Sequence, residues 1–336
     1  MPRIHYFNLL NIFACISVIA LHCNAYSHSF AHNSAWHQAI IFEVVFFAAV
    51  PIFFMLSGAT LFSFKERYTT KDFYKKRIRR TFFPYLIFSI ILYILFLYKN
   101  FHDTGSFYLD LHHFFSTIST GQIPFSNYWF FIPLFLFYLF LPFLEKIVNH
   151  SSLNALTWLC IFVFFFQSCV PLINLFGDFN ITKATPISGY CIYAILGFVL
   201  NKTNLEKRWT NLLWLGIITL CVFIIRYLGI LSLDHRDTLW FSYFGFYAVI
   251  PAIFFFLTFK RLNPHLDKHP QLAEKIKQLS SLSFGIYLIH GVVLTLLPFE
   301  KSSISYRILG IPLVYGSCAF FIYFGKKIPL LKRIIP

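Results

Sequence analysis

The amino-acid sequence predicts an all-α polytopic membrane protein of about ten transmembrane helices, with its N- and C-termini on the cytoplasmic side. Apolar residues make up 58% of the chain and charged residues only 12%, whereas a soluble domain carries roughly 25% charged residues. Phe alone contributes 46 of the 336 residues. The core of a 336-residue chain cannot hide the total apolar surface of this sequence from water. Lipid must therefore be part of the solvent, and no linker divides the chain, so we interpret residues 1–336 as one membrane domain.

Polar clusters divide the chain into apolar runs that approach the length of a membrane-crossing helix, about 20 residues. The predicted spans are residues 4–24, 39–64, 82–98, 128–145, 153–176, 186–201, 209–232, 238–260, 281–299 and 304–325. The first run has the position of a signal peptide. Arg3 is the only firm positive charge before this run, and no small-x-small cleavage site follows the run. These features favour an uncleaved first span.

The distribution of basic residues predicts the orientation, because Lys and Arg concentrate in cytoplasmic loops. With the N-terminus inside, all but six of the 28 Lys and Arg residues fall in inner segments. This distribution also accounts for the net charge of +15 without nucleic-acid binding.

The seven Cys lie in apolar runs, which favours small core residues over disulfides or a zinc site. The His residues of the outer loops match no metal motif, so no metal is expected.

A polar stripe runs along the first predicted span. Asn8, Asn11, Cys15, Val18 and His22 recur at spacings of three and four residues and therefore share one helix face. Asn11 and His22 fall within roughly 20° of each other, about 16 Å apart along the axis. Such a stripe should face protein or a cavity. It is either a functional face that presents His22 or a structural one that hydrogen-bonds neighbouring helices.

The second span descends from the outer face, so Glu43 is expected at a depth similar to that of His22. A carboxylate beside an imidazole can orient it and raise its basicity. The alternative is a buried Glu43 that pairs with Arg226 or with a Tyr. Further along, Pro51 should kink the helix, and Ser57-Gly58 allows another group to approach closely, although ordinary helix packing explains these small residues equally well.

The inner segment that follows contains five cations in the six residues Lys75 to Arg80. Such a cluster at the cytoplasmic interface is suited to the phosphates of an anionic cofactor such as coenzyme A. The alternative is a topogenic role combined with binding of anionic lipid.

Several motifs recur in a recognisable order. They are VPIFFMLSG at 50–58, FYKKRIRRTFFPY at 73–85, NYWFFIPLFLFYLFLP at 127–142, SGYCIYAILGFVL at 188–200 and SFGIYLIH at 283–290, after a first span that ends near His22. With them, nearly the whole chain resembles the acyltransferase 3 family of bacterial membrane acyltransferases, particularly the O-acetyltransferases of surface polysaccharides. The family element F-x3-R-x2-R-x3-P is matched by Phe73, Arg77, Arg80 and Pro84.

The resemblance implies a multi-pass enzyme of the bacterial cytoplasmic (inner) membrane. It would transfer an acyl group, most simply acetyl, from acyl-coenzyme A to a hydroxyl of a surface glycan or of its lipid-linked precursor. The resemblance implies His22 as catalytic base, or as a residue that carries the acyl group transiently, with Glu43 in support. The expected donor-binding residues are Asn11, Ser57, Gly58, Arg77, Arg79 and Arg80, and the expected acceptor-binding residues are Asn127, Trp129 and Tyr190. The acyl chain, the glycan and the oligomeric state do not follow from the sequence.

The chain departs from the family pattern at three positions. The family usually has Asp and Arg where this chain has Asn8 and Asn11, and it tends to have a His where Asn127 stands. Asn can hydrogen-bond but cannot neutralise an anion. A family member without catalytic activity and a glycan exporter without chemistry therefore stay open as alternatives.

Alkaline-phosphatase fusions test the predicted orientation, because this reporter is active only outside the cytoplasm. Fusions near residues 30, 105 and 180 should be active, and fusions near residues 70 and 265 should be silent. An active fusion near residue 70 would overturn the N-in, C-in topology.

Overall fold

A computed structural model describes residues 4–104, 110–125, 128–177, 189–236, 239–329 and 331–335. The described chain is helical and contains no β-strand. We number its α-helices α1 to α15 in chain order. They are α1 Tyr6–His22, α2 Ser34–Phe46, α3 Ala49–Leu61, α4 Thr70–Arg77, α5 Phe83–Thr104, α6 Leu111–Thr120, α7 Phe131–His150, α8 Leu153–Gly177, α9 Cys191–Lys202, α10 Trp209–Leu231, α11 Phe246–Arg261, α12 Asn263–Lys268, α13 Pro270–Ser280, α14 Ser283–Thr295 and α15 Ile304–Gly325.

Seven helical stretches in the described chain are long and apolar enough to cross a membrane, and the bent pair α13–α14 raises the number to eight. The seven are Ser34–Glu66, Thr70–Thr104, Tyr128–His150, Leu153–Asn174, Trp209–Leu231, Phe246–Lys268 and Ile304–Gly325. The multi-pass helical fold is thus confirmed. Two of the ten predicted spans correspond to the shorter apolar helices α1 (17 residues) and α9 (12 residues), so the count of about ten and the orientation stay predictions.

The chain divides into two compact units. Unit 1 consists of Met1–Phe62, Leu144–Ser281 and Phe299–Ile311, and unit 2 of Ser63–Phe143, Leu282–Pro298 and Pro312–Pro336. In unit 1, α3 packs most extensively against α9, and α1 packs against α3, α11 and α13. In unit 2, aromatic rings of α7 and α14 pack together, with Phe131 and Tyr287 in edge-to-face contact at 5.4 Å.

Exposure separates the inner helices from those that face lipid. None of the residues of α1 and α3 is exposed, whereas α10 exposes large apolar side chains such as Trp214 and Leu220 along its length. Apolar side chains on an outer face are what contact with lipid tails requires. Cys221 also lies on this outer face, so the expectation that all seven Cys occupy the core is wrong at that position.

Pro51 interrupts the second predicted span, as expected. The helix stops at Phe46 and restarts as α3 at Ala49. Proline has no N–H, and its ring clashes with the carbonyl four residues earlier, which here belongs to Phe47. The break therefore falls where a regular helix would bring that carbonyl against the ring.

Two glycines allow the backbones of α3 and α9 to touch. A methyl group at Gly58 would lie 1.9 Å from the carbonyl oxygen of Ala194, and one at Gly197 would lie 2.0 Å from that of Met55. Close backbone approach of this kind is a main source of helix association in membranes, where apolar side chains gain nothing by leaving lipid.

Gly58→Ala should therefore destabilise the fold, since the added methyl group meets backbone rather than a movable side chain. Forcing a larger side chain into packed surroundings costs about 1–3 kcal/mol, and more where nothing can shift. The matched control is Gly316→Ala on α15, where an added methyl group has no atom within 4 Å and should be neutral or slightly stabilising. Thermal unfolding in detergent compares the two, and equal melting temperatures would contradict the close contact.

Candidate functional site

The N-terminal half of the α1 stripe is held by neighbouring helices. The Asn11 side-chain amide donates to the carbonyl oxygen of Ser280 at 3.2 Å and to its hydroxyl at 2.9 Å. Tyr6 is bound through its backbone N–H to Asn263 and through its hydroxyl to Asn201. The bonds of Asn11 favour the structural interpretation at that position of the stripe, and donor binding by Asn11 stays a prediction.

His22 is the last residue of α1 and is partly exposed. The turn that follows is tightly fixed, because the buried side-chain amide of Asn24 donates to the carbonyl of Ala39 at 2.8 Å. The hydroxyl of Ser27 and the indole of Trp36 add further bonds across the turn, the former to Glu43 and the latter to the carbonyl of Ser27. His22 therefore stands at the end of α1, next to a turn that is fixed by hydrogen bonds, and is only partly covered.

Glu43 is buried in α2 and pairs with Arg226 of α10. Its carboxylate lies 3.8 Å from Arg226 Nη2 and accepts a hydrogen bond from Ser27 Oγ at 3.2 Å, and its backbone carbonyl accepts one from Arg226 Nη1. This is the alternative that the sequence had left open. The carboxylate is engaged by these two partners, and a supporting role toward His22 stays a prediction.

The guanidinium of Arg226 occupies an aromatic niche. It is fully buried, it lies 3.7 Å from the ring centre of Phe47 and 4.9 Å from that of Tyr247, and its Nε donates to the carbonyl of Trp240. A lone Arg inside an apolar span was the signal for such a site, because an intramembrane cation needs a partner.

A second buried arginine has no comparable countercharge among the described residues. Arg307 in α15 is 0% exposed and donates through Nη2 to the carbonyls of Ala35 and Ser302, whereas Nε and Nη1 have no hydrogen-bond partner. In the predicted topology, Arg307 is one of the six cations outside the inner segments, and no sequence motif marks it.

Unit 2 contains a strongly basic pocket of about 1270 Å³. Its lining consists of Asp72, Lys75, Lys76, Arg79, Arg80, Pro84, Lys326, Lys327, Pro329, Lys332, Ile334 and Ile335. The pocket thus contains two predicted donor-binding residues, Arg79 and Arg80. It also contains three lysines that were not predicted to bind the donor, Lys326, Lys327 and Lys332. These lysines are more than 240 residues away in the chain, and no motif signals their proximity.

Arg77 does not line this pocket, and donor binding by Arg77 stays a prediction. Its guanidinium lies over the rings of Phe73 and Tyr138, at 5.6 and 5.4 Å from their centres. The physical reason is the π-helical turn Ile78–Phe82, which directly follows α4. A wider turn changes which residues share a face, so the Arg-x-x-Arg spacing no longer aligns Arg77 with Arg80.

The small residues of α3 take part in helix packing. Gly58 lies against the backbone of α9, and donor binding by Gly58 stays a prediction. The hydroxyl of Ser57 donates to the carbonyl of Phe53 at 2.9 Å within its own helix. This bond satisfies the hydroxyl locally and leaves donor binding by Ser57 a prediction.

The predicted acceptor residues have different surroundings. Asn127 lies outside the described residues. Trp129 is partly buried in a short 3-10 helix. The backbone of this helix passes close to Gly121, where an added methyl group would lie 2.6 Å from the carbonyl oxygen of Tyr128 and 2.7 Å from the Trp129 backbone. Tyr190 is stacked on Phe54, with ring centres 4.6 Å apart and planes at 14°, so one face of its ring is already covered within unit 1.

Comparisons with known proteins found a family match and a distant curated relative. A family model described as an acyltransferase domain matches residues 4–325. A serine/alanine racemase of Enterococcus gallinarum is 26% identical over 328 residues. That match covers 88% of this chain and 41% of the racemase, so the chain spans about two fifths of the relative's length. No solved structure matches.

Glu43→Gln and Arg226→Met should each destabilise the protein, because either change leaves an uncompensated polar group or charge in a buried site. Removing one partner of a buried ion pair costs about 3–5 kcal/mol. The double variant should lose less than the sum of the two single losses, since no lone charge then stays behind. Chemical unfolding in detergent micelles measures this coupling, and strictly additive losses would show that the pair does not interact.

Proposed function

Because this chain belongs to the acyltransferase 3 family, we propose that it moves an acyl group, most simply acetyl, from cytosolic acyl-coenzyme A to a hydroxyl of a surface glycan or of its lipid-linked precursor. The family match supports the general function of a membrane acyltransferase. The donor, the acceptor and the location in the bacterial inner membrane are parts of the proposal.

The observation that carries the donor assignment is the basic pocket. It gathers seven Lys and Arg side chains and one carboxylate around a volume large enough for a nucleotide. Arginine suits phosphate because its planar fork donates two parallel hydrogen bonds, and lysine contributes compact positive charge. Pro84, Ile334 and Ile335 add apolar surface against which an adenine ring can pack.

His22 is proposed as the general base. It would accept the proton of the acceptor hydroxyl while that oxygen attacks the thioester carbonyl, so that a C–O bond forms and the C–S bond breaks. The departing thiolate takes up a proton and leaves as free coenzyme A. A partly exposed imidazole on a fixed helix end supports this role, because a base must reach its substrate and hold its orientation.

Anionic lipid is the competing explanation for a basic pocket at a membrane surface, and a transporter is the competing function. Neither requires a particular histidine. The dependence of glycan acylation on His22 therefore separates the proposed enzyme from both.

His22→Ala should lower acyl incorporation into the glycan by about 10²–10⁴-fold at equal membrane abundance, the usual loss for a general base. The control is His102→Ala, which removes an exposed imidazole near the end of α5 and should leave incorporation unchanged. Mass spectrometry of surface glycans from the two strains gives the measurement. Equal incorporation by the His22 variant and by the unmodified protein would remove His22 from the mechanism.

A further inference from the structure

The last described residues, 326–329 and 331–335, fold back as a series of turns, and we call them the C-terminal segment. The N–H of Lys327 donates to the carbonyl of Phe324, and that of Ile328 donates to the carbonyl of Gly325. Further on, the N–H of Lys332 donates to the carbonyl of Ile328 at 2.9 Å. The segment is therefore a defined structure and not an extended tail.

Ile335 anchors the far end of this segment. It is 7% exposed, and its backbone N–H donates to the carbonyl of Leu331 at 2.8 Å. Its side chain packs where Gly325 lacks one, since a methyl group at Gly325 would lie 2.7 Å from the Ile335 terminal carbon. A glycine at the end of α15 thus makes room for the chain to return, and this return brings the lysines of the segment to the basic pocket.

The resulting arrangement places like charges together. Lys326, Lys327 and Lys332 face the same pocket as four cations of the inner segment 75–80, and the pocket has a single carboxylate, that of Asp72. Asp72 is engaged with the hydroxyl of Thr69 at the start of α4. Mutual repulsion of the cations disfavours this arrangement unless an anion offsets it.

Two of the lysines have further features that suit an anionic ligand. Lys327 Nζ lies 4.5 Å from the ring centre of Tyr323, a contact that limits the freedom of its side chain. Burial lowers the pKa of Lys326, as expected for an amine that has lost part of its hydration. A phosphate group would add a favourable interaction for both charges.

We propose that the C-terminal segment is part of the donor site, where Lys326, Lys327 and Lys332 bind the phosphate groups of coenzyme A together with Arg79 and Arg80. Coenzyme A carries a 3′-phosphate and a 5′-diphosphate, so it presents phosphate at two points. A pocket with cations from two separate chain segments fits two such points, and the apolar Ile334 and Ile335 lie next to them. This inference rests on the proposed function for the identity of the donor.

The test measures coenzyme A binding by purified protein in nanodiscs of neutral lipid. Lys327→Gln/Lys332→Gln removes two exposed cations of the segment and should weaken binding roughly tenfold or more, because charge-assisted bonds to phosphate are among the stronger polar contacts. The residual affinity should also depend less on salt. The matched control, Lys65→Gln/Lys71→Gln, removes the same charge outside the pocket and should bind within about twofold of the unmodified protein.

A second arm distinguishes nucleotide from lipid phosphate. The same proteins are placed in nanodiscs that contain phosphatidylglycerol, and enrichment of this lipid is measured by mass spectrometry. Loss of lipid enrichment in the segment variant, with unchanged coenzyme A affinity, would overturn the inference and assign the lysines to lipid. If the unmodified protein binds no coenzyme A, the proposed donor fails as well, whereas normal coenzyme A binding by the segment variant removes only the role of the C-terminal segment.

Discussion

A polar group inside a bilayer has no water with which to form hydrogen bonds, so it must find its partners within the protein. This constraint organises the described structure. Some hydroxyls satisfy it within their own helix, as Ser57 does by donating to the carbonyl four residues earlier. Others satisfy it between helices, as Asn11 does at Ser280 and Glu43 does at Arg226. These interhelical bonds attach α1 and α2 to their neighbours, and they therefore determine where the end of α1, with its histidine, is held.

Much of the fold followed from hydropathy, because the apolar runs are long and polar clusters separate them. The departures have local causes. Pro51 divides predicted span 39–64 into two helices. Predicted span 186–201 corresponds to the shorter helix α9, which begins at Cys191. Hydropathy measures how apolar a run is, whereas helix ends depend on proline geometry and on particular hydrogen bonds.

The candidate site was less accessible to sequence reasoning. Residue spacing groups Arg79 with Arg80, which line the same pocket, but it does not show the π-helical turn after which Arg77 packs over other rings. Lys332 was missed since its proximity to Arg80 arises only when the C-terminal segment returns. Glu43 was recognised as important, but only the folded chain shows that its carboxylate is engaged by Arg226.

The glycine contact between α3 and α9 also bears on how a molecule could move through this protein. Where a single methyl group would lie 1.9 Å from a backbone oxygen, no gap exists between the two helices at that level. Even water, with a radius of about 1.4 Å, needs a cavity of its own size. A permeation route for an acyl chain or a sugar therefore cannot run between Gly58 and Ala194, and a mechanism that carries material across unit 1 has to find its path along other helix pairs.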